Sequence, residues 1–160
     1  MNRQSVFVVG AVLLLAGGAR NFGMAQTAPP PSPYVMSMGD MMNTLVQPRH
    51  IKLGVAGGAE NWRLAGYALV EIRQVFASIV KAQPQFRGMP VAALIDAAMS
   101  QPISAVDAAI KLQDPKKFAV AYDQLTQGCN ACHAALDHPY VVIKAPGSSA
   151  FPDQDFSPGR

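Results

Sequence analysis

The chain has 160 residues, half of them apolar and 14% charged, with a formal net charge of +3. That length suits one domain with enough apolar material for a core. The basic excess is misleading: Met1–Ala25 contains Arg3 and Arg20 and no acid, so the 13 basic residues fall to 11 against 10 acidic ones without it. A near-neutral remainder implies neither a nucleic-acid footprint nor a basic membrane patch.

Residues 1–25 are expected to be a secretory signal. Arg3 gives the positive start, Val6 to Ala16 the apolar run, and Gly23-Met24-Ala25 the small residues at which cleavage near Ala25 is expected. The apolar run is too short for a membrane span; an uncleaved anchor is the alternative. Residues 26–33 hold Pro29-Pro30-Pro31 and Pro33 and read as an extended lead-in. Residues 34–137 are expected to be a helical domain, and 138–160 a tail packing on it.

The first helix is expected from about Tyr34 to Ala56, on the spacing of Met38, Met42, Leu45, Val46, Leu53 and Ala56. Pro48 should kink it near Thr44, and Gly57-Gly58 should stop it. The second runs from about Asn61 to Gln83, with a stripe from Ala65 to Val80, Glu71 facing away, and Trp62 as an end plug. Val91 to Met99 suggests a short helix stopped before Pro102, which then opens a third helix ending by Gln113. Asp114-Pro115 starts the last helix, as N-cap and first-turn proline. Phe118, Tyr122, Leu125, Cys129, Cys132 and Leu136 recur there at steps of four and three, the pattern of a helix packed lengthwise.

Both cysteines of the chain lie on that stripe, in Cys129-Asn130-Ala131-Cys132-His133. C-x-x-C-H is the attachment signature of haem c. Two thiols anchor the macrocycle and the adjacent imidazole binds its iron. On a helix the three side chains reach one side together. A redox dithiol needs a strand before it, and a zinc site needs more ligands than two cysteines and scattered histidines supply. A Cys129–Cys132 disulfide in an exported non-haem bundle stays open as an alternative.

Helices with short connections and this motif on the last one resemble the class II c-type cytochromes, cytochrome c′ and its low-spin relatives such as cytochrome c556. The resemblance covers about Tyr34 to Leu136. It implies an all-α, antiparallel four-helix bundle with one covalent haem c, the motif on the last helix, and here an irregular C-terminal tail. His133 becomes the proximal iron ligand, and a residue of the first helix crosses the distal face. Counting back four turns from Gly57-Gly58 lands on Met42 or Met41, with Met38 one turn earlier. No methionine follows Met99, so a methionine ligand has to come from upstream. Arg49 and Lys52 are candidates to pair with the haem propionates. His50, in a polar stretch, reads as a surface residue, and His138 as a cap of the motif helix.

The function expected is that of a periplasmic electron carrier with His/Met ligation, serving periplasmic or membrane-bound redox partners. A five-coordinate binder of diatomic gases such as NO or CO is the alternative. No enzymatic activity and no catalytic residue are expected, because peroxidase chemistry needs a polar distal acid–base pair that the methionine-rich first helix does not offer. The resemblance is compatible with a homodimer.

Overall fold

A computed structural model describes residues 32–147 and 153–158. The expected signal, and the lead-in up to residue 31, lie outside the described residues. A compact unit begins at Tyr34 and runs to Arg160. It is mostly helical: α1 (Met38–Met41), a π turn (Met42–Val46), α2 (Gln47–Gly58), α3 (Trp62–Ala82), α4 (Val91–Leu112) and α5 (Pro115–Ala135). The loop between α3 and α4 carries a two-residue antiparallel ladder, Gln85–Phe86 with Met89–Pro90, where no strand was expected. Gly88 and Arg87 turn it with φ of 79° and 50°.

Local chemistry explains the helix starts. Ser37 caps α1 in a reciprocal box with Asp40. The Asn61 side chain accepts from Leu64 N–H at the start of α3. Asp114 accepts from Lys116 and Lys117 N–H at the start of α5, as its sequence predicts. These bonds favour the ionised form, so the amides hold the Asp114 carboxyl below its ordinary range.

Two prolines fare differently against expectation. Pro48 does not end the first rod, and the helix changes type around Thr44, where a kink was expected. The proline cannot donate to the Thr44 carbonyl, and the widened π turn of residues 42–46 lies where that missing bond would fall. The Arg49 guanidinium donates to the Leu45 carbonyl in the same turn at 2.8 Å. Pro102 likewise does not separate two helices, since α4 runs unbroken from Val91 to Leu112. Lacking an N–H, it leaves the Ala98 carbonyl without its helical donor. That oxygen faces α5 at Gly128, only 2.5 Å from where a Cβ would stand.

The core lies where α2, α3, α4 and α5 meet, with Leu53, Ala56, Ala65, Ala68, Leu69, Ile79, Val106 and Leu125 at its centre. α4 packs on α5, α2 on α3, α3 on α4, and α2 on α5. The last contact is close because α2 presents glycines. A Cβ on Gly57 would meet the Phe118 ring at 2.0 Å, and one on Gly54 the Tyr122 hydroxyl at 2.5 Å. Trp62 packs edge-on to Phe118 at 5.9 Å and is half-buried, as the end-plug reading has it. Glu71 does not face away: it is half-buried and takes both Arg49 and Lys52.

The Gly128 contact yields a quantitative expectation. Gly128→Ala drives a methyl into the Ala98 backbone oxygen, which cannot rotate aside. Forced overpacking typically costs 1–3 kcal/mol, so about 2 kcal/mol or more of unfolding free energy should be lost in chemical denaturation. A variant as stable as wild type would show that α4 and α5 are farther apart than described.

Candidate haem-attachment site

Burial fades along the α5 stripe toward its C-terminal end. Phe118, Tyr122 and Leu125 are 3%, 5% and 2% exposed, while Cys129 and Cys132 are half-buried. The cysteines are unbridged. Burial pushes the Cys129 thiol up to about 11 and raises Cys132 as well, so both stay protonated at neutral pH. Beside Cys132 an open, apolar groove of about 440 Å³ runs between the start of α4 and the end of α5. Met89, Pro90, Leu94, Ala97, Ala131 and Ala135 are among its walls. Small alanines on both helices keep it wide.

His133 sits on the last turn of α5, and its Nδ1 is 2.7 Å from the Val141 carbonyl oxygen. A carbonyl only accepts, so Nδ1 carries the proton and Nε2 keeps a free lone pair. That is the arrangement metal-bound histidines adopt, with one nitrogen for the metal and the other donating to a backbone carbonyl. Asn130, between the cysteines, takes Ile143: its Nδ2 donates to Ile143 O at 2.8 Å, and its Oδ1 accepts from Ile143 N–H at 2.7 Å. Sequence reasoning passed over Asn130, because the residues between the cysteines carry no signal of their own. The tail therefore lies along the motif helix. Farther on, Asn61 donates to Ser157 O at 2.8 Å and Phe156 packs against the core.

The first rod brings the methionines. α2 and α5 run in opposite senses: Gly57 lies by Phe118, Gly54 by Tyr122, and His50 by Thr126. Continued past the π turn, that register carries Met42 and Met41 toward the last turn of α5, which ends at Ala135. Met41 is 3% exposed and part of the core, and Met42 is half-buried against it. The π turn packs on α3. Arg49 and Lys52 point to Glu71 instead of standing free for an anion, at 3.9 and 3.6 Å.

His50 corrects the sequence reading. It is 4% exposed, stacked on Tyr122, with Nε2 2.9 Å from Thr126 Oγ1 and Nδ1 3.0 Å from Tyr122 Oη. The Tyr122 hydroxyl is also 2.8 Å from the His50 carbonyl and that of Thr126 3.0 Å from the Tyr122 carbonyl, so a neutral ring donates to one hydroxyl and accepts from the other, and each single O–H has a carbonyl as its alternative acceptor. Each ring nitrogen has a hydroxyl partner, so His50 is a buried, bonded residue and not the surface residue expected. Desolvation lowers its pKa to about 4, and burial raises that of Tyr122. His138 sits at the end of α5 with Nδ1 2.6 Å from the Leu136 carbonyl, in the capping place expected.

Among the described residues no three His, Cys, Asp or Glu side chains gather to hold a bare metal ion, and no helix is long and apolar enough to cross a membrane. The residues do suit haem c: two thiols three apart on one helix, an imidazole with its second nitrogen committed to a carbonyl, and an apolar groove beside Cys132. The chain matches no family model, no curated protein and no solved structure.

Proposed function

We propose that this chain is an exported mono-haem c-type cytochrome of the class II kind, an antiparallel four-helix bundle that carries electrons between periplasmic or membrane-bound partners. The observation that carries the reading is the pairing of the C-x-x-C-H motif with the geometry of His133, whose Nδ1–H donates to Val141 O and so presents Nε2 for a bond. Haem bound here supplies a one-electron couple at iron.

The roles of the side chains follow from their places. Cys129 and Cys132 are the thioether anchors, one beside the core and one facing the groove. His133 is the proximal ligand. Met42, on the rod antiparallel to α5, would be the preferred distal ligand and Met41 the second choice. A thioether is soft and uncharged, so it binds iron without bringing a buried charge. Arg49 and Lys52 can reach propionates only by leaving Glu71, whose Oε2 has no hydrogen-bond donor of its own.

Spectroscopy separates the carrier from the gas binder. Protein matured in a periplasm should be low-spin, show the weak charge-transfer band of methionine ligation at the red end of its oxidised spectrum, and bind carbon monoxide slowly when reduced. Met42→Ala, or else Met41→Ala, should lose the band and gain rapid binding. A high-spin wild type that takes carbon monoxide at once would replace the carrier reading with the gas-binding one.

A further inference from the structure

After α5 the chain turns back at Asp137, with φ of 61°. The segment that follows is not held by apolar burial. Tyr140, Val141 and Val142 are 76%, 38% and 70% exposed. It is held to α5 by the two Asn130–Ile143 bonds and by His133 to Val141 O, and its start is turned by His138 N–H to the His133 carbonyl and Val141 N–H to the His138 carbonyl. Asn130 and His133 are three apart on one helix face, and their partners are two apart in the tail.

We propose that Asn130 is a positioning residue for His133, acting through the tail: its two-point clamp on Ile143 holds the Val141 carbonyl where the His133 ring must donate to it. A side-chain amide that meets both N–H and C=O of one residue fixes that residue's place and orientation, as a ladder pair does. Without the clamp an exposed segment is left to the His133 bond and to the turn in which Val141 N–H donates to the His138 carbonyl at 2.9 Å. A typical hydrogen bond contributes about 1 kcal/mol, comparable to the cost of fixing one residue's backbone, so the His133 bond would be made only part of the time. The ring would then lose its fixed tautomer and orientation. The consequence for iron rests on the haem reading. A carbonyl on Nδ1–H makes the imidazole a stronger donor, which favours ferric iron and lowers the potential.

The test uses the full chain with Asn130→Ala, and with Asn130→Asp, which keeps an acceptor for Ile143 N–H but loses the donor. In the cofactor-free protein, nitrogen NMR should show His133 as the Nδ1–H tautomer in wild type and as a solution-like mixture in Asn130→Ala, with Asn130→Asp between. Ile143 amide exchange should accelerate about tenfold for each 1.4 kcal/mol of protection lost. In the haem-loaded protein the potential of Asn130→Ala should rise, by about 59 mV for a tenfold change in ferric preference. An unchanged tautomer in Asn130→Ala, whether or not the tail is released, overturns the role given to Asn130. Wild-type protein without haem would defeat the functional reading, and the tautomer in that same protein would still decide the role of Asn130.

Discussion

Lowering the pH from 6.5 to 4 should remove about 3 kcal/mol of stability through His50 alone. In the unfolded chain a histidine takes its proton near pH 6.5, and in the folded chain His50 takes it near 4. Between those values the unfolded state binds more protons, so stability falls as the pH falls. It is fully present above 6.5. Each unit of difference is worth 1.36 kcal/mol, and at 4% exposure the ring gains little solvent screening. His50→Phe should remove this dependence cleanly. It keeps a ring to stack on Tyr122, and both hydroxyls retain carbonyl acceptors, Tyr122 on residue 50 and Thr126 on residue 122. No donor is orphaned. The depressed carboxyls of Asp40, Asp107 and Asp114 titrate lower still, so their contributions are lost mainly below this window. Urea denaturation of both proteins at several pH values reads the difference. Parallel pH profiles would mean that His50 is open to water in solution.

Losing a haem anchor should cost more. Cys129→Ala and Cys132→Ala are expected to lower the yield of folded, haem-bearing protein and to reduce its melting temperature. On the haem reading, losing the cofactor uncovers the apolar groove between α4 and α5 and removes the packing it would supply, and a large void costs about 3–5 kcal/mol. For a domain of this size that is about 10 °C or more in Tm. Cys132 faces the groove directly, whereas Cys129 packs beside the core. Cys129→Ala therefore also removes packing atoms and should be the more damaging of the two. Variants as heat-stable as a haem-bearing wild type would remove haem from the core.

Local rules made much of this readable in advance. Asp114-Pro115 announces α5 because an N-cap and a first-turn proline need only neighbouring amides. The α3 stripe is visible because seven of its residues, from Ala65 to Ile79, repeat at helical spacing and are all buried. The failures come from contacts made across the sequence. His50 sits among polar neighbours, and its partners Tyr122 and Thr126 are 72 and 76 positions away. No local pattern shows that they will meet. Pro102 ends a helix by local rules, yet α4 continues because Gly128 on another helix leaves room for the freed Ala98 oxygen. Pro48 announced an irregularity near Thr44, but not that it would take the form of a π turn. The motif was legible at once, but not the clamp that Asn130 makes within it, because the partner lies in a tail without regular structure.

Covalent attachment of one haem to Cys129 and Cys132 is the claim on which the functional reading stands. Intact mass of the denatured protein, produced in a host that matures c-type cytochromes, tests it most directly. The expected mass is that of the chain from about Gln26 onward plus one haem, with the haem surviving acid and organic solvent. A mass equal to the bare polypeptide, or the bare polypeptide less two hydrogens for a Cys129–Cys132 disulfide, would contradict it.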